Sequence, residues 1–500
     1  AIDKLVDMYF NGEGVKRDLN RAVEWQKKLI SIDKKSYDKK RSMDNAETLL
    51  YDMKGLSSKY FFINLHEERK RIDLEIIELC DQIVSKYSKY RFFMIRSVKK
   101  RFLVYKAEAL DDLGNISLKN NNFEEAEKYY SEALKIRKII KGKWDYEEDV
   151  ISSYCNFADL ARKRGDLKQA LDFYNKCIKI IGQDKGSYYL KHCSFDVALI
   201  YRCVADIYFD LGDYKHAEEY RIKAIELFMM KVIEEKSSAS LYYISSEYSG
   251  LAEIAGKNLE TNRQLEYLEN ALQYARDYVK NSNYENRYII LCYALIDLGD
   301  YYFSNNNDEQ AKAYYSEAHD IANEKFKNSD DYSCIKCLIQ SIRNLGIFYK
   351  YAEKQDKSRA LVLFEKAVTL AENKVELSNS VYTVAQIVYD YLNLSTLTLD
   401  HQKEKEYLKK VDANYDKLEK ISSHENGKIT CASCAITLGD YYGQKNDITS
   451  MEMYCKKAIF FAKQVVLERS KLSKKKMIFD CYMKLGEIYI DSDCLLALDN

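Results

Sequence analysis

The sequence predicts an all-α protein, a solenoid of antiparallel helix pairs, and three observations carry that prediction. Residues 298–318, LGDYYFSNNNDEQAKAYYSEA, place Leu298 and Gly299 ahead of Tyr302, then Ala311, Tyr315 and Ala318, with Asn305, Asn306 and Asn307 between the two groups. This is helical spacing on either side of a turn, with small residues where two helices cross closely and tyrosines filling the space beside them. The pattern recurs, anchored at Gly114, Ala158, Ala205, Ala252, Gly299, Gly346, Asn393, Gly439 and Gly486, at intervals of 44 to 47 residues. Finally, the chain of 500 residues has no proline. Ordinary usage of about 5% would give roughly 25; long unbroken helices tolerate that absence and a strand-and-turn protein rarely does.

The Leu-Gly pair, the Tyr three residues after the Gly, and the Ala and aromatic of the second helix resemble the tetratricopeptide repeat. The resemblance implies a right-handed α-solenoid, a TPR-like superhelix, whose ligand face is the concave side. Such repeats most often span about 34 residues, so a period near 47 means longer helices. In length it is more similar to the extended repeats of kinesin light chains and of some bacterial regulators. A chain of this size exceeds what one compact core supports, and the register selects a solenoid over several globules.

Taken in order, residues 1–31 carry a different string: Leu5, Tyr9, Gly12, Gly14, Val15, Asp18, Ala22, Trp25 and Lys28. It resembles a Sel-like repeat, a relative in which a short Gly-rich turn joins the helices, and turn geometry accounts for both glycines. Because Ala1 to Phe10 already reads as helix interior, more units are expected upstream in a longer parent protein. Residues 32–100 read as an irregular helical connector, with Ile72, Ile76, Ile77, Cys80 and Ile83 on one face. Its cluster Lys86, Lys89, Arg91, Arg96, Lys99, Lys100 and Arg101, interleaved with Tyr87, Tyr90, Phe92 and Phe93, could contact an anionic ligand. We read it as a solvated helix face with core aromatics. Residues 101–500 are the array of about nine repeats. Its last copy, near Gly486, ends in a tail too short for a full second helix.

Composition narrows the partners. With 78 basic and 78 acidic residues the net charge is zero, so no global field favours nucleic acid or an anionic membrane. No apolar run approaches the roughly 18 residues of a membrane span. Thirteen scattered cysteines suit a reducing cytoplasm rather than a disulfide scaffold.

No phosphate-binding Gly loop, HExxH or GxSxG string occurs, so neither a catalytic set nor a cofactor is expected. The six histidines, at 66, 192, 216, 319, 401 and 424, fall at different repeat phases. Cys334 with Cys337 and Cys431 with Cys434 have metal-ligand spacing. They stand two repeats apart, so we read them as buried thiols rather than one zinc site.

The resemblance locates the concave face at positions about six and three before each anchor and one, four and five after it. The position one after holds Asp159, Asp206, Glu253 and Asp300 in four consecutive repeats, then Asp440 and Glu487. That predicts a carboxylate ladder. Basic residues follow at Lys119, Arg162, Lys163, Lys257 and Lys350, with Arg202 and Arg343 a turn before the anchor. Asn156 and Asn344, two before it, match where peptide-binding members place an Asn on the ligand backbone. One reading is an extended peptide held by charge-assisted bonds. The other is local pairs such as Asp159–Lys163 and Glu253–Lys257, worth only a few tenths of a kcal/mol. The 44 tyrosines include doublets such as Tyr301–Tyr302 and Tyr314–Tyr315, one ring for the core and one facing outward or toward the groove.

The expected protein is therefore a non-catalytic, cytoplasmic scaffold that binds a protein or peptide with basic residues, with self-association left open. We expect it to be the sensor or interaction arm of a larger bacterial multidomain signalling protein. A structural spacer is the alternative. An enzyme using groove carboxylates fits less well, because one acid per repeat is too widely spaced for an acid–base pair.

Overall fold

The computed structural model describes residues 2–87, 93–140, 145–183, 193–329, 331–373, 380–422 and 425–464. Among them the regular elements are 20 α-helices and one 3-10 turn, Glu285–Arg287. The chain divides into two compact units, Ala1–Ser187 and Tyr188–Asn500.

The first unit holds α1 (Ile2–Asn11), α2 (Leu19–Lys39), α3 (Met43–Phe62), α4 (His66–Tyr87), α5 (Phe93–Lys119), α6 (Phe123–Ile140), α7 (Asp145–Arg164) and α8 (Leu167–Gln183). Between α1 and α2, Gly12 and Gly14 adopt φ of 80° and 73°, a region open to glycine. Asp18 then accepts from the Arg21 backbone to cap α2. The expected connector is a packed pair, α3 with α4, whose core includes Leu50, Leu56, Ile72, Ile76 and Cys80.

The second unit holds α9 (Ser194–Asp210), α10 (Tyr214–Glu235), α11 (Ser238–Lys257), α12 (Thr261–Asn281), α13 (Tyr288–Ser304), α14 (Asp308–Phe326), α15 (Tyr332–Tyr351), α16 (Lys357–Glu372), α17 (Val381–Leu397), α18 (His401–Ile421), α19 (Glu425–Gln444) and α20 (Ile448–Lys463). Each helix packs on the next. The first helices of neighbouring pairs also touch, α11 with α13, α13 with α15, and α17 with α19. This is the contact pattern of an all-α solenoid of antiparallel pairs.

Two local devices build each pair. The first is the turn. Seven residues after the anchor, Asn121, Gly165, Gly212, Leu259, Asn306 and Asn446 all take positive φ, ending the first helix as a left-handed residue does. The next residue caps the second helix: Asp166, Asp213, Asn307 and Asp447 each accept from the backbone N–H three residues on. The second device is the crossing. A Cβ built on Gly299 would meet the Tyr315 ring at 2.6 Å, and one on Gly114 would collide with Tyr130. Tyr130 and Tyr315 are almost wholly buried, with Ala126, Ala133, Ala311 and Ala318 fully so.

The last expected copy at Gly486, with Glu487, lies outside the described residues, as do His192, His424, Lys89 and Arg91 and the side chains of Arg96 and Lys99. Arg101 is described and pairs with Glu47 at 2.7 Å. Among the described residues no helix is long and apolar enough to cross a membrane.

Two substitutions test these devices by thermal or urea unfolding. Gly299→Ala should destabilise by about 1 to 3 kcal/mol, because the Tyr315 ring must move; an unchanged midpoint would contradict the crossing. Leu259, 87% exposed at φ 61°, gains no burial to offset its backbone strain. Leu259→Gly should therefore raise stability by about 1 kcal/mol.

Candidate functional site

The carboxylate ladder has an internal partner that its sequence phase conceals. In each pair the residue sixteen after the anchor lies over the small anchor side chain and reaches the residue one after it. Thus Tyr174 Oη donates to Asp159 Oδ1 at 2.9 Å, Tyr315 Oη to Asp300 Oδ1 at 2.5 Å, and Tyr130 Oη to Asn115 Oδ1 at 2.7 Å. Two pairs break the rule. Arg221 stands where the tyrosine would be and donates to Asp206 Oδ1 at 2.8 Å. Leu268 occupies the phase beside Glu253, which has no hydrogen-bond or ion-pair partner among the described residues.

The two irregular pairs, together with the regular pair of α13 and α14, form a recess of about 490 Å³ in the second unit. Its lining includes Arg202, Asp206, Arg221, Glu253, Asp297 and Asp300, so four of the eight residues expected to line a groove meet here. Behind it Glu247, with no exposed surface, takes Arg202 Nε at 2.9 Å and an Arg221 terminal nitrogen at 2.8 Å. Gly250 leaves the volume that the Arg221 guanidinium fills. Five carboxylates thus share two guanidiniums, and both guanidiniums are tied to Glu247. The surplus is negative.

Asp297 on α13 accepts from Ser249 Oγ on α11 at 3.2 Å. Burial pushes its pKa up to about 6, and repulsion from Asp300 and Glu253 adds to the shift. Loss of water in the recess also raises Asp300, against the opposing Tyr315 hydrogen bond. Glu247 is raised because burial outweighs its two arginines. A concentration of raised carboxylates in a concave site marks a place built for something other than stability.

The remaining expected residues lie elsewhere. Asn156 and Asp159 belong to the first unit, where Asn156 hydrogen-bonds to Asp111. The ion pair seen for Asp159 is with Arg162, at 4.0 Å, instead of the expected Lys163. Arg343 and Asn344 are buried: Arg343 Nε donates to Asp390 at 2.7 Å, and Asn344 accepts from Gln340 at 2.6 Å. Lys350 donates to Asn393 and Thr396, and burial lowers its pKa to about 8. Cys334, Cys337, Cys431 and Cys434 are all buried.

Sequence reasoning missed Asp297, Arg221 and Glu247. Asp297 carried a usable signal: it sits two residues before its anchor, the phase of Asn156 and Asn344. Arg221 carried one too, as an arginine at the phase of Tyr130, Tyr174 and Tyr315.

The raised pKa of Asp297 has a signed consequence. The folded chain holds that proton more tightly than the unfolded one, whose pKa is near 3.8. The group therefore favours folding at acid pH, and its contribution is lost as pH rises through about 6. Asp297→Asn should be more stable than wild type near pH 7.5 by about 1 to 2 kcal/mol, converging with it near pH 4. Melting curves at the two pH values check this, and a variant less stable at pH 7.5 would contradict it.

Known proteins were compared with the chain at this point. Two tetratricopeptide repeat family models match, one over residues 105–182 and one over 204–228 and 293–325. No curated protein matches the chain. Among solved structures, the apo form of RapI is similar at a TM-score of 0.52 and 14% identity, covering 83% of this chain and 98% of that one. The apo quorum sensor NprR from B. thuringiensis gives 0.45 and 14%, covering 82% and 99%. A Signal Transduction ATPase with Numerous Domains with a tetratricopeptide repeat sensor from Pyrococcus horikoshii gives 0.40 and 16%, covering 78% and 54%. At such identity the likeness to RapI is one of fold. Tetratricopeptide repeats are thus present in this chain, and its fold is the all-α solenoid of helix pairs that such repeats build.

Proposed function

We propose that the chain is a non-catalytic recognition scaffold that holds an extended protein or peptide segment, with a basic side chain of that segment seated in the acid recess of α9 to α13. The observation that carries this reading is the charge surplus of the recess. Asp206, Glu253, Asp297 and Asp300 line an open cavity, while both nearby guanidiniums are held by Glu247. A lysine or arginine of a ligand would supply the missing countercharge and make short charge-assisted bonds. It would also relieve the repulsion that raises Asp297. The same acids repel a phosphate backbone, which argues against nucleic acid.

The wider role we infer is a sensor or interaction arm of a larger bacterial signalling protein in the cytoplasm, with the α1–α2 pair a Sel-like repeat and self-association compatible with the repeat architecture. The spacer alternative draws support from the bonds of Asp159 and Asp300 to tyrosines of their own pairs. It also calls for a groove filled by its own side chains, and the recess is open.

The test is fluorescence anisotropy with a labelled Gly/Ser/Ala decapeptide carrying one central arginine, against the same peptide carrying glutamate. The arginine peptide should bind and weaken as salt rises. The combined Glu253→Gln and Asp300→Asn variant should bind it about tenfold more weakly. Equal binding of the two peptides, or an unaffected variant, would overturn the proposal.

A further inference from the structure

We propose that a second recess on the same helix faces is a subsite for an aromatic side chain, so that one segment is read at two points: a basic residue in the acid recess and an aromatic one in a tyrosine-walled recess. This rests on the groove reading above. The second recess, of about 520 Å³, is walled by Tyr242, Tyr243, Tyr278, Tyr284, Tyr293 and Tyr332, with Lys336 also in its lining.

Position along the helices joins the two recesses. On α11, Tyr242 and Tyr243 of the tyrosine recess are followed by Ser246, Ser249 and Glu253 of the acid recess. On α13, Ile289 and Tyr293 are followed by Asp297 and Asp300. Steps of three and four residues keep all of these on one stripe of each helix, so the recesses are successive stretches of one trough. Tyr243 and Glu253 are ten residues apart, or about 15 Å along a helix.

The tyrosine recess lies nine to fourteen residues before the anchors Ala252, Gly299 and Gly346. That is the part of the first helix supplied by a period near 47, which repeats of about 34 residues lack. The extra helix length therefore has a use beyond stacking.

The chemistry of the walls selects the guest. Tyr242, Tyr284 and Tyr332 keep 40%, 58% and 37% of their surface exposed. Tyr242 meets Tyr243 and Tyr278 edge-on, at centroid separations of 5.3 and 5.7 Å. Such an array offers ring faces and edges to another aromatic ring. Lys336 Nζ, 4.9 Å from the Tyr382 centroid, repels a cationic guest and can sit over an aromatic one. The two recesses thus divide the labour: the carboxylates take the cation, and the tyrosines under Lys336 take the ring. A span of about 15 Å is four or five residues of extended chain.

The test extends the decapeptide host. Arginine is kept fixed and a tryptophan is moved from one to seven positions away, with arginine-only and tryptophan-only peptides as references. Anisotropy against wild type should show the tightest binding at a separation of four or five, about tenfold tighter than the arginine-only peptide. Tyr242→Ala with Tyr332→Ala should erase that gain and leave arginine-only binding unchanged. Both positions are part-exposed, and the spacing series in wild type does not depend on the variants folding. Binding that ignores tryptophan position, or a gain that survives the double variant, overturns the subsite. If arginine-only peptides bind and tryptophan adds nothing, the subsite falls while the groove reading stands. If no arginine peptide binds, both fall.

Discussion

One crossing recurs and the rest depends on it: a side chain from the second helix lies over a small residue of the first and donates to the next residue along. Where the anchor is glycine the tyrosine ring occupies the place a Cβ would take, as Tyr315 does over Gly299. The hydroxyl then has one acceptor within reach, Asp300. A close-packed crossing and a satisfied buried hydroxyl are thus obtained together. Because the acceptor follows the anchor directly, the same bond aims the carboxylate toward the open side of the first helix. The ladder is a consequence of packing before it is anything else.

The acid recess appears where that arrangement changes. Arg221 replaces a tyrosine and brings a charge that Glu247 and Asp206 must answer. Leu268 replaces another and leaves Glu253 unanswered. Departures from a protein's own local rule tend to collect at functional positions. The cost is legible in the raised Asp297, Asp300 and Glu247, which hold stability below what neutral side chains of the same shape would give. A cation that enters would recover part of that cost, which is a physical basis for affinity in a chain with no net charge.

The fold was legible because it repeats. Small residues at a constant stride, with Asn or Gly at the turn, define helix pairs without reference to any contact between distant residues. The turn at Leu259 is the instructive exception: leucine disfavours the left-handed region, and only the register of its neighbours points to it. Half of the expected groove residues, Arg202, Asp206, Glu253 and Asp300, meet in one cavity because phase determines which face of a helix a residue occupies. Phase does not determine what that face meets. Arg343 and Asn344 have the right phase, yet α17 supplies Asp390 to the arginine, and both side chains are buried. Asp297 was missed for the opposite reason, since its phase was searched for asparagine and its carboxylate is set by Ser249 one repeat away. Burial and partners across repeats are the information a period cannot carry.

The central claim is that the inner stripe of α11 and α13 is the ligand face. Amide hydrogen–deuterium exchange, measured with and without a saturating arginine–tryptophan peptide, tests it most directly because it locates binding without altering a residue. Slowed exchange concentrated in residues 239–253 and 286–304 is the result this account predicts. Protection confined to the second helices, in 214–235 and 308–326, would contradict it.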